Sequence, residues 1–228
     1  RNSDLRSFIN NHKEIGKLIN EDVIYSIISD LCLGIKEIHK NNLIHRDLKP
    51  ENIFIGTDFK IKIGDLGISK QLSEDTLFAN TFAGTLNYMA PEILKGDKYT
   101  QSVDIWSLGC IIYELFSLNA CFPQRNLVDL VGKITGGNYG KITYLNSFFS
   151  DWQNLIDMLL NVNVNERPDI FEVIFYLEDF LKNKNIDEDE ISLNINLRKK
   201  KCYKKNTIKI KIKNYNYNHQ IYFISPDY

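Results

Sequence analysis

Apolar residues recur at the three- and four-residue spacing of amphipathic helices along most of the first 181 positions. The clearest pattern predicts a long helix over residues 21–40. Asn20 is its candidate N-cap, and Glu21 and Asp22 lie in the first turn, where the helix dipole favours acidic side chains. The same spacing predicts five further helices, over residues 4–11, 103–118, 127–134, 152–160 and 169–181. Pro168 stands at the start of the last of these helices, where proline is tolerated.

A short β pattern interrupts the helical one. Isoleucines alternate with Phe or Lys at residues 53–55 and 60–63, and the turn residues between these stretches predict a small hairpin. Asn52 and Asp65 stand at the two ends of this hairpin, so we expect it to bring them to one side. Residues 65–92 are polar and rich in hydroxyls, as in a functional irregular segment.

Composition narrows the class of protein. The chain has 228 residues, of which 43% are hydrophobic and 25% charged, as in an ordinary globular protein. Its net charge of −1 gives no general attraction to nucleic acid or to membranes, and no apolar run is as long as a membrane span. The four cysteines form no Cys-x-x-Cys motif, and Cys32 and Cys110 lie in apolar helical patterns. Buried reduced thiols indicate an intracellular protein, cytoplasmic or nuclear.

The composition changes near residue 183, so we divide the chain into residues 1–181 and a Lys- and Asn-rich tail, 182–228. The tail holds nine Lys or Arg and no acid between residues 198 and 213, and residues 207–213 alternate strictly as in a β-strand. We interpret the tail as a solvated extension that is disordered or partly β. The alternative, contact with nucleic acid or acidic lipid, is less favoured.

Four short strings carry the chemistry. His-Arg-Asp-Leu-Lys-Pro-Glu-Asn spans 45–52, and Asp-Leu-Gly begins 18 residues after Asp47. Ala-Pro-Glu closes the polar segment at 90–92, and Asp-Ile-Trp-Ser-Leu-Gly begins at Asp104. Residues 1–181 therefore resemble the C-terminal lobe of a serine/threonine protein kinase. Residues 64–70 and 78–85 are most similar to the NIMA-related kinases.

The resemblance implies a role for each site residue. Asp47 would accept the hydrogen bond of the substrate hydroxyl, and Lys49 would reach the γ-phosphate of ATP. Asn52 and Asp65 would bind Mg²⁺, a hard cation that prefers oxygen ligands. Thr85 would bond the catalytic loop and help to select a Ser or Thr hydroxyl.

Further residues would regulate the site or support it. By the resemblance, Thr81 is the activating phosphosite, and its phosphate would pair with Arg46. His45 is not the base; its counterpart in the family stacks under the second residue of the magnesium triplet, here Leu66.

Three more residues have structural roles by the same resemblance. Asp104 would accept backbone hydrogen bonds from the catalytic loop. Glu92 and Arg167 would form a buried ion pair that ties the activation segment to the lobe.

The resemblance is to one lobe only. Residues 1–44 contain two well-separated glycines and no Gly-rich phosphate loop, and no Val-Ala-Ile-Lys strand precedes the catalytic loop. We therefore expect a chain truncated at its beginning and doubtful activity for it alone. The first hypothesis is an enzyme that uses ATP and protein substrates; the alternative is a non-catalytic binding module. The oligomeric state stays open.

Overall fold

The computed structural model describes residues 3–56, 60–65, 86–123, 126–142 and 150–183. The helices are α1 (Leu5–Glu14), α2 (Glu21–Lys40), α3 (Pro91–Leu94), α4 (Ser102–Ser117), α5 (Leu127–Gly136), α6 (Ser150–Leu159) and α7 (Ile170–Asn183). The strands are β1 (Ser3–Asp4), β2 (Ile53–Ile55) and β3 (Ile61–Ile63), and 3₁₀ turns span Pro50–Asn52 and Val164–Glu166. The predicted mainly helical kinase lobe with a small hairpin is confirmed. The last helix runs two residues into the expected tail, to Asn183, and residues 184–228 lie outside the described residues.

Helix α4 lies in the centre of the core. Every residue from Val103 to Ile112 is buried, since nearly all of them are apolar. Gly109 permits a close approach to α6: a Cβ added there would lie 2.9 Å from the Cβ of Leu159. The helix ends at Ser117, and Leu118 follows in the left-handed conformation with φ of 56°. The core therefore surrounds α4, and its first turn lies beneath the candidate site.

Helix α2 leads into the candidate site. Its bounds are those that the sequence predicted, and the side chain of Asn20 caps it by accepting a hydrogen bond from Asp22 N at 3.1 Å. Ile28 and Leu31 are fully buried, and the helix packs against α4, α7 and β3. Because α2 is held on several sides, the loop that follows it starts from a fixed point.

The sheet has three antiparallel strands in the order β1-β2-β3. Ile53 pairs with Ile63, and Asp4 pairs with Phe54. The sequence predicted the hairpin but not β1, because two residues are too few to show alternation. It also placed Asp4 inside the first helix. Asp4 is instead the N-cap of α1: its carboxylate accepts Ser7 N at 2.6 Å, and extended backbone at this position allows the pairing with β2.

Helix α7 begins with a capping box. Asp169 accepts hydrogen bonds from Phe171 N and Glu172 N at 2.8 and 2.9 Å, and Glu172 accepts Asp169 N at 2.9 Å. The sequence placed Pro168 directly before a helix that begins at Asp169. Asp169 is instead the cap, and the helix begins one residue later, at Ile170. Over the described residues, no helix combines the length and apolar character needed to cross a membrane.

Candidate active site

Asp104 anchors the loop that follows α2. Its side chain is 1% exposed and accepts His45 N and Arg46 N, each at 2.9 Å, and it meets His39 Nε2 at 2.9 Å. The carboxylate lies in the first turn of α4, where the helix dipole favours negative charge. It therefore fixes two consecutive peptide groups immediately before Asp47.

Arg46 occupies a strained backbone conformation. Its φ is 70°, a left-handed value that costs a non-glycine residue about 1–3 kcal/mol, and the bond from its amide to Asp104 offsets part of that cost. The guanidinium lies over the ring of Tyr99, 5.7 Å from the centroid. Its Nε is buried and has no hydrogen-bond partner among the described residues. Thr81, its expected phosphate partner, lies outside those residues.

The carboxylate of Asp47 is held from two sides. Lys49 Nζ lies 3.0 and 2.9 Å from its two oxygens. Asn52 Nδ2 donates to Asp47 Oδ2 at 3.0 Å and to its backbone oxygen at 2.8 Å. The side chains of Asp47 and Lys49 are each 17% exposed, so the carboxylate is oriented yet reachable. Because the amide nitrogen of Asn52 faces Asp47, its amide oxygen faces the other way.

His45 joins the loop to the hairpin. It is fully buried, its Nδ1 accepts Asp47 N at 3.3 Å, and its Nε2 lies 2.8 Å from Gly64 O. Since Nδ1 accepts a hydrogen bond from a backbone N–H, the ring proton is on Nε2 and is donated to the carbonyl. The imidazole is thus a neutral structural link. Its expected neighbour Leu66 lies outside the described residues.

The hairpin pairs Asn52 with Gly64, the residue that precedes Asp65. Gly64 N donates to Asn52 O at 2.9 Å, and Asp65 follows directly with an exposed side chain and a φ of 51°. An added Cβ at Gly64 would lie 2.5 Å from the ring of Phe54, so any larger residue here would displace that ring. Both expected metal ligands therefore stand at one end of the hairpin. Thr85 lies outside the described residues.

Sequence reasoning missed a network around Arg6. Its Nε lies 2.7 Å from Glu51 Oε1, and its Nη1 lies 2.5 Å from Glu114 Oε1. The Tyr88 hydroxyl bonds both Arg6 and Glu114. Arg6 thus connects α1 with the catalytic loop, with the residues before α3, and with α4. The available signal was Glu114, because an acid inside an apolar helix requires a partner.

Electrostatics keeps Arg6 and Tyr88 protonated. Burial and then the charge of Glu114 raise the pKa of Tyr88, so its hydroxyl stays protonated and donates to that carboxylate. Burial alone would lower the pKa of Arg6, but the hydrogen bond and charge of Glu114 and the nearby Tyr88 and Glu51 together raise it. A positive Arg6 therefore contacts both Glu114 and Glu51, and Glu51 directly precedes Asn52.

Glu92 and Arg167 form a buried ion pair. Arg167 Nη1 and Nη2 lie 2.8 and 3.2 Å from the two carboxylate oxygens. The remaining guanidinium donors reach backbone oxygens of Asn161 and Ser102 at 2.8–3.1 Å, and the group lies over the ring of Trp106 at 5.1 Å. The pair joins the start of α3 to the segment before α7.

The arrangement around Asp47 and the helices beneath it define the class as a protein kinase C-terminal lobe. Residues 1–176 match the family model "Protein kinase domain". The chain belongs to this family.

Similar proteins come from the NIMA-related group, as the sequence predicted. Mouse serine/threonine-protein kinase Nek2 is 37% identical over 177 residues, which cover 75% of this chain and 39% of the relative. The G2-specific protein kinase nimA of Emericella nidulans is 35% identical over 198 residues, covering 75% and 28%. Human Nek11 is 35% identical over 182 residues, covering 79% and 28%. The chain thus spans less than two fifths of the length of these relatives.

Proposed function

We propose that this chain supplies the catalytic loop and activation segment of a serine/threonine protein kinase, within a lobe formed by residues 1–181. The reaction is transfer of the ATP γ-phosphate to a protein hydroxyl. The observation that carries the proposal is the Asp47 carboxylate, oriented by Lys49 and Asn52 while part of it stays exposed. Phosphoryl transfer depends on such positioning and on charge stabilisation more than on covalent chemistry.

In this proposal Asp47 accepts the hydrogen bond of the attacking hydroxyl and aims its oxygen at the phosphorus. Lys49 already lies beside Asp47 and supplies a positive charge for the γ-phosphate. Thr85 would help to select Ser and Thr hydroxyls. Phosphorylated Thr81 would engage the unused Nε of Arg46, because a phosphate offers strong acceptors for that donor.

The donor set suits Mg²⁺. The Asn52 amide oxygen is directed away from Asp47, and the exposed Asp65 carboxylate stands at the same end of the hairpin. A neutral oxygen and an anionic oxygen are ligands that this cation accepts. When bound there, the metal would neutralise charge on the ATP phosphates.

The test is Asp47→Asn in the complete product of the gene that encodes this chain. The amide keeps the shape of the carboxylate but is a poor proton acceptor, so we expect turnover to fall by about 10²–10⁴. Phosphate transfer to a Ser/Thr peptide is the readout, and the thermal unfolding midpoint reports the fold. Asp97→Asn, at an exposed aspartate, is the matched control.

Near-native turnover in Asp47→Asn would contradict the assignment of Asp47 as the catalytic residue. Nucleotide binding separates the enzyme from the alternative of a non-catalytic binding module. An enzyme requires Mg²⁺-dependent binding of ATP by the complete product, and we expect Asp65→Asn to weaken it. A binding module has no need of either behaviour.

A further inference from the structure

One face of α7 is apolar and exposed. The opposite face packs Ile170, Val173 and Leu177 into the core, each at most 4% exposed. Phe171 and Phe175 are 50% and 70% exposed, one helical turn apart. Two exposed phenyl rings on one helix form an apolar row, the kind of surface that a docked segment covers.

A row of acids runs beside the phenyl row. Glu172 and Asp179 are exposed and seven residues apart, which places them at nearly the same angle around the helix. Glu178 is exposed on the other side of the phenyl row. Helix α7 contains three acids and one lysine, Lys182 in its last turn, so the part of this surface before that turn attracts cations. Lys36 of α2 lies 5.9 Å above the Phe171 ring and marks the border of the surface.

The phenyl row continues into a groove of about 640 Å³. The residues that line it include Phe171, Ile170, Pro168, Tyr99 and His39. Among its lining residues the one Lys or Arg is Arg167, which is already paired with Glu92. A basic segment seated along α7 therefore meets no unpaired guanidinium in the groove, and Lys36 is the cation that it approaches at this end.

We propose that residues 207–213 of this same chain dock along α7 between the two rows. Their sequence, Thr-Ile-Lys-Ile-Lys-Ile-Lys, places isoleucines on one side of an extended strand and lysines on the other. A strand that lies edge-on to the helix directs the isoleucines to Phe171 and Phe175. It directs the lysines to Glu172 and Asp179.

The dimensions agree. Alternate residues of a strand are about 6.6 Å apart, and Phe171 and Phe175 are separated by about 6 Å along the helix axis. Residues 184–206 form a connection of 23 residues, whose root-mean-square span is about 26 Å for a flexible chain. Returning from Asn183 to Phe171 requires about 18 Å along the helix. The connection is therefore long enough and close to its optimal length.

When the segment and α7 belong to one chain, weak contacts are enough to keep the segment bound. Exposed ion pairs are individually weak, and two half-exposed phenyl rings bury a limited area. Because the segment and α7 belong to one chain, docking is intramolecular, and the effective concentration of the segment replaces its free concentration. The charged contacts should weaken with salt, because exposed charges are screened beyond about 10 Å at 0.1 M ionic strength.

The test is zero-length carbodiimide cross-linking of the full chain, which joins lysines to carboxylates in contact. Unlabelled and ¹⁵N-labelled chains are mixed in equal amounts, so that mass spectrometry separates bonds within a chain from bonds between chains. We expect bonds within one chain from Lys209, Lys211 or Lys213 to Glu172 or Asp179. Their yield should fall in 0.5 M salt.

Two variants remove the apolar contact and keep every reactive group. Phe171→Ser with Phe175→Ser, and Ile208→Ser with Ile210→Ser and Ile212→Ser, should each lower the yield about fivefold or more. The second variant leaves the described helices unaltered, so misfolding of α7 cannot explain its effect. The matched control is Leu18→Ser with Val128→Ser, two apolar residues that are 51% and 83% exposed elsewhere.

Three results would overturn the proposal. One is an unchanged yield in both apolar variants. Another is cross-links found only between labelled and unlabelled chains, which would make a second copy the occupant. The third is lysines joined only to the acids at 187–190, which would mean that the tail pairs with itself. None of these results depends on kinase activity, so the docking and the proposed function fail separately.

Discussion

Two arginine–glutamate networks support the candidate site, and they differ in their exposure to water. The Arg167 side chain is 0% exposed and its partner Glu92 is 5% exposed. Arg6 is 25% exposed, and of its two partners Glu114 is 5% exposed and Glu51 is 46% exposed. The same chemistry is thus fully buried in one network and partly hydrated in the other. Because burial sets the cost of losing a partner, we expect a graded series of effects.

The two networks also differ in what they touch. Arg167 bonds the backbone of Ser102, at the start of the helix that carries Asp104. It therefore supports the site through the lobe. Arg6 bonds Glu51, which directly precedes Asn52 in the catalytic loop. The first network should govern stability, and the second should govern both stability and the position of the loop.

The largest effect is expected for Arg167→Met. It leaves the buried Glu92 carboxylate without its cation, which costs about 3–5 kcal/mol. Urea unfolding of the 228-residue chain measures the loss. The control is Lys133→Met, because Lys133 and Asp129 form a partly exposed pair at i,i+4 worth about 0.3–0.5 kcal/mol. Equal losses in the two variants would show that burial does not set the cost.

Arg6→Met should come second. It leaves Glu114 buried with only the Tyr88 hydroxyl among its observed partners, and an unsatisfied buried group costs about 1–3 kcal/mol. Urea unfolding of the single and double variants with Glu114→Gln gives the coupling energy. A coupling of zero would mean that the Arg6–Glu114 contact contributes nothing, and the comparison of the two networks would lose its basis.

Both networks show what the sequence could predict. The helical period predicted α2 to the residue, because capping and apolar spacing are local signals. The resemblance to protein kinases, and no local spacing, implied the contacts of Asp104 with the catalytic loop and of Glu92 with Arg167, and the structure contains these contacts. Arg6 belongs to no local pattern: Glu51 and Glu114 lie 45 and 108 residues further along. Contacts between distant segments depend on packing, which no local spacing encodes.

The pH dependence of stability tests the role of Tyr88 in the Arg6 network. Burial raises the pKa of Tyr88 above the ordinary value of about 10, so the folded state binds this proton more tightly than the unfolded state. The protonated Tyr88 contributes fully to the free energy of unfolding below pH 10. As the pH rises above 10, this contribution is lost by up to about 1.4 kcal/mol per pH unit. The unfolding midpoint measured between pH 8 and 11 should fall less steeply in Tyr88→Phe. Parallel curves for the two proteins would contradict this assignment.

The smallest effect is expected for Glu51→Gln. Its carboxylate is 46% exposed, so water replaces much of what the pair with Arg6 provides, and the loss should be about 0–1 kcal/mol. Arg6 keeps Glu114, so no buried charge is stranded. Urea unfolding measures the loss beside that of Arg6→Met. If Glu51→Gln costs as much free energy of unfolding as Arg6→Met, the exposed contact with Glu51 dominates this network. Exposure to water would then not explain the difference between the two networks.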